Sequence, residues 1–117
     1  MMVVRILLSI VVVSFSGSLV LAGTPETDCF DHVTKFSLGT DDQAAQVCQN
    51  AQSNAPALCF NNAVKIHWIS PETAVRLCKY ATSTQPADCY RESTQVRNLS
   101  ENSAVNLCRR NPCLDCY

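Results

Sequence analysis

The chain has little of what common catalytic and phosphate-binding motifs are made from. Its 117 residues include three glycines, two histidines and one tryptophan. Beyond residue 22 the only glycines are Gly23 and Gly39, so no glycine-rich loop can gather backbone amides around a phosphate, and no Gly-x-Ser-x-Gly turn presents a serine nucleophile. Asn-Gly and Asp-Gly pairs are missing, as is sustained period-two alternation, which argues against hairpin-linked strands. An excess of positive charge is missing too: nine Lys and Arg stand against ten Asp and Glu. Nucleic-acid binding needs a concentrated basic face, and the one basic cluster, Arg109-Arg110, reads as a solvated pair or as the complement of a helix C-terminus.

Long apolar runs are confined to the first 22 residues, MMVVRILLSIVVVSFSGSLVLA. One positive charge (Arg5), an apolar stretch from Ile6 to Val13, a Ser/Gly break and small residues at positions 20 and 22 are the marks of a signal peptide cleaved after Ala22. The expectation is a secreted or periplasmic protein with no membrane attachment after cleavage, because the apolar run is short for a bilayer span of about 20 residues.

The remaining segment, residues 23–117, amounts to 95 residues, room for a single domain. Only 17 of them are Leu, Ile, Val or Phe, below the fraction of about 20% at which ordinary globular packing becomes doubtful. Something besides a large core must hold the domain together. All eight cysteines lie in this segment, at positions 29, 48, 59, 78, 89, 108, 113 and 116. An even number in a small exported chain is the setting of a disulfide framework.

Six of these cysteines form two interleaved series. Cys29, Cys59 and Cys89 are 30 residues apart, and so are Cys48, Cys78 and Cys108. Other positions keep the same period: Phe30, Phe60 and Tyr90; Phe36, Ile66 and Val96; Thr40, Ser70 and Ser100; Ala44, Ala74 and Ala104; Val47, Leu77 and Leu107. A period of this length marks stacked supersecondary units that cannot bury their apolar faces alone. The expected fold is therefore all-α: three tandem 30-residue two-helix repeats, with units at about 27–56, 57–86 and 87–117, forming a small disulfide-stapled array.

Each unit reads as a helix pair. In the middle unit Ser70 has the character of an N-cap, Pro71 suits the first helical position and Glu72 favours the positive helix end. Ala74, Leu77, Cys78 and Ala81 then fall on one helical stripe, which predicts a helix over about 71–81. The preceding segment predicts a helix over about 57–66, and the Thr/Ser/Gln/Pro stretch at 82–86 predicts the turn between units. Helices of about ten residues are marginal alone in water, so packing and covalent bonds must stabilise them.

The spacing permits two pairing schemes. In one, each unit closes on itself as Cys29–Cys48, Cys59–Cys78 and Cys89–Cys108, leaving Cys113–Cys116. In the other, bonds cross the junctions as Cys48–Cys59, Cys78–Cys89 and Cys108–Cys116, leaving Cys29 with Cys113. The echo of Asp88-Cys89-Tyr90 in Asp115-Cys116-Tyr117 favours the second, whereas the long bond it forces on Cys29 counts against it. We favour pairing within units.

Cys113-Leu-Asp-Cys116 has the spacing of thiol-disulfide oxidoreductases, which lower a thiolate pKa at a helix N-terminus; a structural disulfide is the plainer reading. A closed zinc site needs four ligands, and six cysteines are claimed by the repeat, so no metal or cofactor is expected. His32 and His67 could serve acid–base hydrolysis, although no repeat logic brings them together. Cys29-Phe-Asp-His32 is faintly similar to secreted phospholipases, but the paired cysteines before the histidine and the glycine-rich calcium loop are absent. Asn98-Leu-Ser100 is a glycosylation sequon whose serine is accounted for as a helix cap.

His67-Trp68 stands out, because the corresponding residues are Ser37-Leu38 and Arg97-Asn98. The middle unit alone places an aromatic pair between its helices, and tryptophan is enriched in binding hot spots. In architecture the arrangement resembles the disulfide-stapled helical solenoids of bacterial secreted proteins, whose repeat length differs, so no site carries over. The expected function is a binding, interaction or structural module, with His67 and Trp68 as contacts for an unknown protein or extracellular ligand. The alternative is a small secreted enzyme, either an oxidoreductase acting through Cys113 and Cys116 or a histidine-dependent hydrolase.

Overall fold

The structure is a computed structural model that describes residues 23–36 and 39–110. The expected signal segment 1–22 and the Cys113–Cys116 stretch lie outside the described residues. Within them the chain is all-helical: α1 (Pro25–Phe36), α2 (Asp41–Val47), α3 (Ala55–Ala63), α4 (Pro71–Cys78), α5 (Gln85–Gln95) and α6 (Glu101–Cys108), with no strand. No helix among these residues is long and apolar enough to cross a membrane.

The even-numbered helices start in one way. Thr40, Ser70 and Ser100 each sit in extended backbone, and each hydroxyl accepts the amide three residues on: Gln43 at 3.2 Å, Thr73 at 3.2 Å and Ser103 at 3.3 Å. At Thr40 the bond is reciprocal, since Gln43 Oε1 accepts from the Thr40 amide at 3.0 Å, completing a capping box. Asp41, Asp42, Glu72 and Glu101 fill the first turns, where negative charge meets the helix dipole.

Helices α3 and α5 start differently. Asn54 and Thr84 make no side-chain cap bond. Instead the hydroxyls of Ser53 and Ser83 accept from the amides of Ala55 and Gln85 at 3.1 and 3.2 Å. The next residue in each case, Pro56 or Pro86, has no N–H to satisfy, so two of the four orphan donors of the helix start are dealt with.

The helix ends correct the sequence-based bounds. Helix α4 stops at Cys78 rather than at about 81, because Lys79 leaves the helical region (ψ 132°) and Tyr80 turns left-handed (φ 66°). Asn50, after α2, is left-handed too (φ 57°). In both places the turn closes through an amide three residues after its acceptor, Ala51 to Cys48 and Ala81 to Cys78, each at 3.0 Å. Helix α3 spans Ala55–Ala63 rather than 57–66, the segment after it continuing as single turns, and the junction expected at 82–86 is shortened because α5 already begins at Gln85.

The helices form two rows. In one row α1 packs on α3 and α3 on α5; in the other α2 packs on α4 and α4 on α6. Each odd-numbered helix also packs on the even-numbered one that follows it. The core between the rows contains Val33, Val47, Phe60, Ile66, Leu77, Tyr90 and Val105, with alanines at 44, 57, 63, 74, 87 and 104 letting the helices approach closely.

Three disulfides among the described residues bridge the rows: Cys29–Cys48, Cys59–Cys78 and Cys89–Cys108, with Cα separations of 5.6, 5.5 and 5.5 Å and a sequence separation of 19 in each. Of the two schemes the spacing allows, this is the one that closes each helix pair on itself. Loops of this length stabilise by about 3 kcal/mol each in the chain-entropy account, a large share of a net stability of about 5–15 kcal/mol. That contribution offsets the shortage of large apolar side chains.

Candidate functional site

The connection between α3 and α4 carries His67 and Trp68. Ile66, only 4% exposed, anchors it in the core, and the Ile69 amide bonds the Ile66 carbonyl at 3.2 Å, so the two aromatic side chains are lifted outward on a tight turn. His67 is exposed. Trp68 is 46% exposed, and its indole N–H donates to Thr94 Oγ1 at 2.9 Å. Thr94 in turn donates to the Tyr90 carbonyl of its own helix at 2.9 Å. The indole is thus fixed to α5, with part of its ring open to solvent.

Around it lies a shallow groove of about 340 Å³ lined by Trp68, Tyr90, Thr94, Gln95, Leu99 and Glu101. Its floor is braced across the second row, where the Thr73 hydroxyl donates to the Glu101 carboxylate and Arg76 Nη2 donates to Asn102 Oδ1 at 3.2 Å. Tyr90 is buried to within 1%. Burial pushes its phenol above the usual range near 10, the Glu101 carboxylate pushes it further, and the Arg76 guanidinium opposes them. The groove therefore offers a fixed flat ring, an amide and a carboxylate, a combination suited to contact with an apolar patch rimmed by hydrogen-bonding groups.

Elsewhere the predicted residues are dispersed. His32 lies on α1 with its ring 4.8 Å from that of Phe36 and its Nδ1 buried without a hydrogen bond. No contact among the described residues links it to His67, and neither imidazole has a carboxylate at ion-pair distance there. Among the same residues, no cluster of three or more His, Cys, Asp or Glu is placed to hold a metal ion. Cys29, Cys48, Cys59, Cys78, Cys89 and Cys108 are all in disulfides; Cys113 and Cys116 lie outside the described residues.

The groove partners of Trp68 were not evident from its own helix pair. Tyr90, Thr94 and Glu101 belong to the next one, 22 to 33 residues further on. The signal that could have narrowed them is the sequence period: a residue between α3 and α4 is placed beside the helices that pack on α3 in its row, which are α1 and α5, and the hydrogen bond to Thr94 shows that it meets α5. No protein family, curated protein or solved structure matches the chain, so the reading of the groove rests on its own residues.

Proposed function

We propose that the protein is a secreted or periplasmic interaction module built as three tandem, disulfide-stapled helix pairs, and that it binds a protein or other extracellular ligand through the groove at Trp68. Three bonds with the same 19-residue separation, and helices in two stacked rows, support the tandem reading. Disulfides also suit an oxidising compartment. The observation that carries the binding assignment is Trp68 itself: half-exposed, yet held by a hydrogen bond to the neighbouring helix pair. An aromatic side chain already fixed loses little conformational freedom on binding, which is what lets one residue contribute strongly.

The test uses the oxidised protein as bait in the fluid that bathes the producing cells, beside a Trp68→Ala version. A partner retained by the first and lost by the second, and shifting Trp68 fluorescence when purified, supports the assignment. A partner retained equally by both places the contact elsewhere, and no partner at all leaves a structural role.

A further inference from the structure

Residues thirty positions apart are not used alike. Leu107 is 65% exposed although Val47 and Leu77 are fully buried, and Thr27 and Ala45 are exposed where Ala57, Ala87, Val75 and Val105 are covered. Those differences mark the two ends of the molecule. At positions 50, 80 and 110 the difference is chemical. Asparagine, tyrosine and arginine stand there at one point of the period, and all three line a single groove of about 360 Å³ beside the turns that follow α2, α4 and α6. That volume falls within the range of small-ligand sites, about 300–1,000 Å³.

Tyr80 is the informative member of the three. Its left-handed backbone (φ 66°) is costly for a bulky side chain, whereas Asn50 holds the same conformation (φ 57°) as asparagine readily does. The turn closes in the same way at both places, Ala51 to Cys48 and Ala81 to Cys78, so its geometry does not call for an aromatic residue. Backbone strain of this kind gathers at ligand clamps, and here it sets a half-buried phenol ring in the groove wall.

The groups around that ring narrow the ligand. Lys79 Nζ stands 5.3 Å from the ring centre. Arg110 Nη1 donates to Thr82 Oγ1 at 2.8 Å, which fixes the guanidinium at the groove and leaves its other donors for a ligand. Asn50 and Gln52, both exposed, add side-chain amides that can donate and accept. Among the described residues the lining holds no carboxylate. A sugar ring bearing a carboxylate meets every one of these groups: its C–H face lies on the phenol, its hydroxyls exchange hydrogen bonds with the amides, and its carboxylate takes paired N–H groups of the guanidinium. A bare phosphate would leave the ring and the amides unused.

We propose that this groove is a second binding site, for an acidic oligosaccharide of the uronate class, with Tyr80 stacking on a sugar ring and Arg110 holding its carboxylate. It shares no residue with the Trp68 groove, so the two assignments fail separately. The experiment is isothermal titration calorimetry of the full oxidised chain with tetragalacturonate, and with its methyl ester as the uncharged probe. The acid form should bind, and the ester should bind about tenfold more weakly or worse. Arg110→Gln and Tyr80→Asn should each weaken binding of the acid form by about tenfold or more. Lys65→Gln, which removes an exposed cation outside the groove, should leave it nearly unchanged. Tyr80→Asn installs the residue that already serves the matching turn at position 50, so lost binding with an unaltered circular dichroism spectrum is not lost folding. No binding of tetragalacturonate, equal binding of the ester, or full affinity in Tyr80→Asn or Arg110→Gln overturns the proposal. So does a loss in Lys65→Gln as large as in Arg110→Gln, which would make the attraction one of overall charge.

Discussion

The indole N–H of Trp68 and the hydroxyl of Thr94, 2.9 Å apart, join the second helix pair to the third at the surface of the molecule. Replacing Thr94 by Val keeps the shape and removes the acceptor. The expected result is a more mobile Trp68, read as lower fluorescence anisotropy and a red-shifted emission, with about 1 kcal/mol lost in chemical unfolding. Unchanged anisotropy would mean that packing alone fixes the ring.

Tyr90 makes the alkaline limb of stability steeper. Its phenol is raised in the folded state, by burial first and then by Glu101. The unfolded chain therefore releases this proton near pH 10 while the folded chain keeps it. The contribution is fully present below pH 10 and is lost as pH rises towards the folded value. In urea unfolding between pH 8 and 11, Tyr90→Phe should flatten the loss of stability; an identical slope in both proteins would exclude Tyr90 as its source.

Besides His32 Nδ1, two buried polar groups among the described residues are weakly satisfied. Asn61 Oδ1 is buried without a hydrogen bond, and the Ser93 hydroxyl faces only sulfur, Cys108 Sγ at 3.5 Å and Cys89 Sγ at 3.9 Å. Alanine already stands at 63, the position corresponding to Ser93. Ser93→Ala should be neutral or stabilising by up to about 1 kcal/mol, and Asn61→Leu stabilising by about 1–2 kcal/mol. Thermal unfolding decides, and a drop in Tm for Asn61→Leu would show that the larger methyl groups do not fit.

Tyr80 holds φ at 66°, a region costly for a bulky residue, whereas Asn50 takes the corresponding place comfortably. Tyr80→Asn should raise Tm, the relief of up to about 1 kcal/mol exceeding the loss of the Lys79 ammonium contact, 5.3 Å from the ring centre. A lower Tm would reverse that ranking.

The three disulfides among the described residues should not reduce together. Cys29, Cys48, Cys59 and Cys78 are at most 2% exposed, while both cysteines of the third bond are only half-buried. Because exchange requires access for the attacking thiolate, limited dithiothreitol followed by alkylation and mass spectrometry should label Cys89 and Cys108 before Cys29, Cys48, Cys59 and Cys78. Equal labelling of all three pairs would mean that reduction follows global unfolding.

Much of this was legible in the linear text because the same physical problem is solved several times. Thr40, Ser70 and Ser100 announced the even-numbered helices, and the cysteine spacing announced covalent closure, although it left two schemes open until the Cα distances were known. The helix ends were harder to read. Nothing in the side chain of Tyr80 advertises a left-handed backbone, and the stripe through Ala81 runs on after the helix has stopped. Ser53 and Ser83 were missed as helix starters because they sit outside the helix, two residues before the amide they serve. The Trp68 groove was half visible: the indole stood out, but its walls come from a helix that packs beside it only in three dimensions.

The contrast between Thr27 and Ala45 at one end and Leu107 at the other gives the molecule a direction of growth. A helix pair joined after α6 would meet the exposed Leu107, whereas one placed before α1 would meet Thr27 and Ala45. Lengthened versions made by duplicating 57–86 should therefore remain monomeric, and those extended at the amino end should carry an extra pair that hangs unattached.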